Sequence, residues 1–171
     1  MCHFSFFIFI FHRLSDIKLI MDFIFRTINS NVQEISQEEL LIMSQLTDFA
    51  HIFEVMLVID LKTKKIKEAT GKYYKTPYKV CMKTEKLVSH LKGLVINKGI
   101  LRDIQSVLSG KNGCVHLYEL VENAIKLAST ILIGKHINYF SEDFKKLPDK
   151  EKIRISKQYL KNTCYAYKEE E

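Results

Sequence analysis

His51-Ile52-Phe53-Glu54-Val55-Met56-Leu57-Val58-Ile59-Asp60 is apolar at nearly every position and then stops. A run this short, rich in β-branched and aromatic side chains, reads as a central strand. Asp60-Leu61-Lys62-Thr63-Lys64 supplies the polar residues of a hairpin turn. Lys65 to Tyr74 follows as a more polar strand through Ile66, Glu68, Thr70 and Tyr73, so Val55 to Tyr74 is expected to form a β-hairpin. Pro77 closes the strand region, and the hydrophobic period changes after it.

Upstream of that run, Asp22 onward is also strand-like. Phe23, Phe25 and Thr27 alternate with Ile24, Arg26 and Ile28, and Asn29-Ser30-Asn31 reads as a turn. Gln37 to Leu46 fits either a short helix opened by Glu38-Glu39 or a strand carrying Leu40, Ile42 and Ser44. Downstream, Val80, Leu87, Leu91, Leu94 and Val95 follow helical spacing until Gly93 and Gly99 punctuate it. Ile100, Ile104, Val107 and Leu108 make a second short helix, closed by Gly110 and Gly113. A third begins at Cys114 and carries a wide apolar stripe from Leu117 to Ile131, with Gly134 as its stop. Ser141 with Asp143 marks a further helix start, and Asp149 to Leu160 is amphipathic. Strands first and helices second is the α+β class: a mostly antiparallel sheet meander covered on one face by three or more helices.

The chain has 171 residues, enough for one domain with its own core. Its division is expected to be an apolar leader at 1–21, a single domain at 22–167 and a solvated tail at 168–171. Phe4 to Phe11 is too short to span a membrane and lacks the flanks of an export signal. It reads either as an extra strand or as an extension outside the working protein, with Met21 as the start. The formal charge is +6, from 26 basic and 20 acidic residues. The basic residues are mostly scattered lysines, with no arginine stripe or aromatic ladder, which argues against a nucleic-acid binder. A reducing, cytoplasmic setting follows for the 4 cysteines, whose thiols then read as buried, metal-binding or reactive.

Chemistry concentrates in Gly113-Cys114-Val115-His116-Leu117-Tyr118-Glu119-Leu120. A helix N-terminus favours negative charge, so a thiolate at Cys114 is favoured, with His116 beside it as ligand or base. Cys81 stands at the start of the helix after Pro77, and two cysteines at two helix starts on one sheet edge can converge. The competing reading makes both small buried hydrophobes. Asp48 and His51 precede the strongest strand and fit a mixed sulfur and nitrogen site, or else a strand-entry turn with a solvated Asp. Cys164, near the C-terminus, would complete a tetrahedral set if brought back to the sheet edge. Glu119 is a candidate partner for His116, whereas His90 and His136 read as surface residues. His3 and His12 belong to the leader. Ser109-Gly110-Lys111-Asn112-Gly113 lacks phosphate-loop spacing, so no nucleotide cofactor is expected.

Asp48-Phe49-Ala50-His51, Ile66-Lys67-Glu68-Ala69, Thr76-Pro77-Tyr78-Lys79-Val80-Cys81, Leu91-Lys92-Gly93 and Gly113-Cys114-Val115-His116-Leu117 resemble the bacterial domain-of-unknown-function family 2889. The resemblance spans about Asp22 to Tyr167, leaves the leader outside and implies no activity. A looser similarity of layout is to the U-type iron–sulfur scaffold proteins, which also run from a hairpin into a ligand cysteine at a helix start; their crowded small-residue loop is missing here. The expected function is a metal-binding accessory domain holding zinc or iron through Cys81, Cys114 and His116, with His51, Asp48 or Cys164 in the fourth place. The alternatives are a thiol enzyme with Cys114 as nucleophile, and a protein-interaction module with structural cysteines.

Overall fold

The computed structural model describes residues 24–169. Cys2, His3, His12, the Phe4 to Phe11 run and Met21 lie outside the described residues, as does the end of the tail.

Four strands form one antiparallel sheet in the order β1-β2-β3-β4: β1 (Arg26–Ser36), β2 (Glu39–Asp48), β3 (Ile52–Asp60) and β4 (Ile66–Lys75). The hairpin expected from Val55 to Tyr74 is β3 with β4. Asp60 closes its turn by accepting from the Thr63 N–H at 2.6 Å and the Thr63 hydroxyl at 2.7 Å. Lys64 takes the left-handed conformation there, with φ of 58°. The ambiguous stretch from Gln37 resolves as a strand. Leu40, Ile42 and Leu46 alternate into the core, and the period of two decides against a helix.

Asn29-Ser30-Asn31 is not the expected turn but lies mid-strand, paired with Gln45, Ser44 and Met43. Ser30 belongs there because β1 meets the helical layer through polar groups. Its hydroxyl lies 2.7 Å from that of Ser44 and donates to Asn123 at 2.8 Å. Arg26 and Glu34, on the same side of the strand, pair with Glu119 and Lys135 at 2.8 and 2.7 Å.

After the sheet comes a 3-10 helix (Lys79–Leu91), where the helical spacing had predicted ordinary α-helix. At three residues per turn Val88 and Leu91 share a face, and both are fully buried. That face lies so close to β4 that a Cβ on Gly71 would come within 2.7 Å of the Val88 side chain. Four α-helices follow: α1 (Ile100–Leu108), α2 (Val115–His136), α3 (Glu142–Lys146) and α4 (Asp149–Leu160). The Ser141 side chain caps α3 by accepting from the Phe144 N–H at 3.1 Å.

The core lies between the sheet and α2. Phe53, Val55, Leu57 and Ile59 from β3 meet Leu117, Leu120, Val121 and Ala124, all essentially inaccessible. The other sheet face is open, with Met56 exposed upon it. Each fully buried aliphatic side chain contributes about 1.5–3 kcal/mol through lost water contact. The apolar stripe of α2 is therefore what holds the helical layer to the sheet. Among the described residues no helix is long and apolar enough to cross a membrane.

Candidate functional site

Asp48 is the last of the inward-facing residues of β2, so the alternation that buries Leu40, Ile42 and Leu46 also buries a carboxylate, leaving it 3% exposed. Such a group has to be paired to stay charged. One oxygen accepts from the backbone N–H of Ala50 at 2.8 Å and of His51 at 2.7 Å, and stands 3.0 Å from His51 Nδ1. The other accepts from Arg26 Nε and Nη2 at 3.0 and 2.8 Å, because the register sets Arg26 opposite Asp48. Burial works against ionisation. The Ala50 N–H, the Arg26 guanidinium and His51 outweigh it and hold the carboxyl well below the usual carboxylate range.

An ionised carboxylate is only an acceptor, so the proton of neutral His51 sits on Nδ1 and Nε2 is left as the free nitrogen. The His51 ring meets that of His116, from the first turn of α2, with centroids 4.2 Å apart and planes tilted by 46°. His116 binds its proton more weakly than an ordinary histidine. Burial is the main cause, followed by the charges of His51 and Arg26, so the ring is neutral at pH 7. Arg26 bridges the two layers, reaching Glu119 with Nη1 at 2.8 Å.

The thiols lie on the β4 side. Cys114 is the N-cap residue of α2, and its N–H donates to the Leu108 carbonyl at 2.8 Å. The chain can turn there only because residue 113 is glycine: a Cβ on Gly113 would stand 2.1 Å from the Leu108 carbonyl oxygen. Tyr73, 7% exposed, points inward from β4, and its hydroxyl lies 3.0 Å from that of Thr84. The Thr84 hydroxyl donates to the Cys81 carbonyl at 2.8 Å, so the Tyr73 hydroxyl is the donor to Thr84. Burial pushes the Tyr73 phenol above its ordinary range, and Cys114, with Cys81 behind it, adds to the effect. The phenol therefore keeps its proton, which goes to Thr84, and toward the Cys114 sulfur its oxygen can only accept. Phe53 links the two halves, in ring contact with His51 at 6.1 Å and Tyr73 at 4.8 Å between centroids.

Of the residues singled out in the sequence, Asp48, His51 and His116 come together, and Cys81 and Cys114 both lie near enough to Tyr73 to affect its phenol. Glu119 joins through Arg26 and not by bonding His116. Cys164 is not brought to this end. It is exposed, and its neighbours Thr163 and Tyr167 line a cavity with Gly134 and Ile137 at the far end of α2. Among the described residues, no group of three or more His, Cys, Asp or Glu is placed to hold a metal ion. Cys81, Cys114 and Cys164 are free thiols. His90 and His136 are exposed, as expected, with His136 Nε2 3.0 Å from the Tyr159 hydroxyl. Sequence reasoning missed Arg26, Tyr73 and Thr84. For Tyr73 the signal was the inward row of Ile66, Ala69 and Tyr73 in β4. Arg26 becomes meaningful only once its register against Asp48 is known.

No curated protein and no solved structure matches the chain significantly. One family does match, over residues 22–130, which include all four strands, Cys81, the Gly113-Cys114 turn and most of α2. The chain belongs to that family, DUF2889, described as a protein of unknown function.

Proposed function

We propose that this domain performs thiol chemistry at the Cys114 end of α2. In this reading Cys114 is the nucleophile, His116 and His51 are its acid–base partners, and Asp48 orients His51. The observation that carries the reading is the buried Asp48 carboxylate holding His51 Nδ1 while the same ring packs 4.2 Å from a neutral His116, two residues beyond Cys114. Turn closure alone would account for the Ala50 and His51 backbone bonds to Asp48. It would not call for paired imidazoles at a helix start that opens with a thiol.

The test is alkylation by iodoacetamide, followed cysteine by cysteine by mass spectrometry. Cys164 is the internal reference because it is the more exposed thiol. Half-buried Cys114 is expected to react about tenfold faster than Cys164 and to slow several-fold in His51→Gln. Reaction no faster than Cys164 would overturn the reading. The donor types Cys114, His116, His51 and Cys81 also suit zinc or iron, which would make this a metal-binding accessory domain. Elemental analysis of untagged protein beside Cys114→Ser separates the two: about one metal per chain, lost in the variant, would replace thiol chemistry by metal binding.

A further inference from the structure

The C-terminal half of α2, the start of α1, the Tyr139-Phe140 loop and α4 border a second feature, remote from Cys114. It is a cavity of about 900 Å³. We infer that it is a binding site for a neutral, largely apolar small molecule carrying one hydrogen-bonding group. This inference does not rest on the thiol reading.

The walls are mainly apolar, with Ile125, Ile131, Ile133, Ile137, Phe140 and Leu160 the principal ones. The volume falls in the range of about 300–1,000 Å³ typical of small-molecule sites, and water alone would fill such walls poorly. Of the polar side chains that line it, Asn97 and Tyr139 are exposed and Tyr167 is half-buried, so water reaches them, and most of the others are already committed. Ser129 donates to the Ile125 carbonyl at 2.8 Å, Thr130 to Lys126 at 3.0 Å and Thr163 to Leu160 at 2.6 Å. Lys126 is paired with Glu122 at 2.8 Å. No uncommitted charge in the lining would hold an anion or a cation, so the ligand is neutral.

Ser156 is the one buried polar side chain of the lining without a partner among the described residues. It is 2% exposed. Fully sealed side-chain polar atoms elsewhere among those residues all have partners. The Ser156 hydroxyl therefore opens onto the cavity and is left for whatever enters it. A ligand donor or acceptor beside that hydroxyl would give it the partner that the surrounding side chains do not. Phe140 forms part of the wall by lying against Gly134, where a Cβ would come within 2.7 Å of the ring. The aromatic face this creates favours a flat ring system.

The test uses the full chain and N-phenyl-1-naphthylamine, a neutral probe that fluoresces when removed from water. Saturable binding of one probe per chain is expected, displaced about tenfold more effectively by 1-naphthol than by naphthalene-1-sulfonate. Ser129→Phe, which fills the cavity, should weaken the probe about tenfold, and Ser156→Ala should abolish the preference for 1-naphthol over naphthalene. Isoleucine methyl NMR of the wild type keeps the test independent of whether a variant folds. Addition of 1-naphthol should shift Ile125, Ile131, Ile133 and Ile137 and leave Ile42 and Ile59 of the sheet unmoved. Non-saturable binding, a preference for the sulfonate, or shifts centred on the sheet would overturn the inference.

Discussion

At its Cys114 end α2 meets the sheet through an ion pair, two imidazoles and a buried carboxylate; at its Gly134 end it meets the Phe140 loop and α4 through an apolar cavity wall. A glycine stands near each end, and the two do different work. At Gly113 a side chain would collide with backbone, the Leu108 carbonyl oxygen at 2.1 Å. At Gly134 it would meet the rim of the Phe140 ring at 2.7 Å, and a ring can swing aside. One end is fixed by main chain, as a site that has to hold reacting groups in place requires. The other is shaped by movable side chains, as suits a cavity that adapts to what it holds.

The largest expected effect breaks the rigid end. Gly113→Ala should cost about 3 kcal/mol or more, since neither the loop nor α1 can yield without losing the Cys114 N–H bond to Leu108. Urea unfolding measures it, and a loss as small as that of Gly134→Ala would erase the contrast between the two ends. Asp48→Ala comes next, at about 2–3 kcal/mol, because it leaves Arg26 and the Ala50 and His51 N–H groups without their acceptor. Its pH dependence has a definite sign. The folded carboxyl lies below the ordinary value of 3.8, so wild-type stability from this group is complete above that pH and lost as pH falls below it toward the folded value. Acid unfolding of Asp48→Ala should lack that component.

How much of this could be read from the chain alone follows the same division. Cys114 and His116 are two residues apart and share a helix start that Gly113 announces, so local pattern was enough to single them out. Asp48 and His51 were visible for the same reason, being three residues apart at a strand entry. Arg26 and Tyr73 were not, because their roles come from register: Arg26 faces Asp48 across 22 residues of chain, and Tyr73 faces Phe53 across β3 and β4. The single-strand alternation that located the core says which face a residue points to, not which neighbour it meets. The 3-10 winding of Lys79–Leu91 was invisible too, since an apolar pattern at spacings of three and four fits either helix. Cys164 could be offered for the sheet edge only conditionally, because nothing local says where the segments after α2 run.

Two smaller effects sharpen the contrast. Gly134→Ala should cost only about 1 kcal/mol while changing probe affinity in the cavity, so stability and binding would separate there as they do not at Gly113. His116 should titrate below its ordinary value of 6.5 by NMR, and Arg26→Gln should move the midpoint upward by removing a nearby positive charge. With the folded value below the unfolded one, His116 disfavours the folded state progressively as pH drops below 6.5, and the variant should show less of that loss.

The bridge from Arg26 to Glu119 also has a kinetic consequence. The four strands form a meander, so each hairpin closes a short loop and pays little chain entropy. Arg26 and Glu119 are separated by 93 residues, as are Ser30 and Asn123. Contacts that distant in the chain are slow to form and come after local pairing. On a ribosome the hairpins can assemble while α2 is still being made, and the imidazole pair cannot exist until the helix start has emerged and closed onto β1. The chemistry proposed for Cys114 would then wait for the last long-range step of folding, and a chain stalled before it would hold a finished sheet beside an unassembled site.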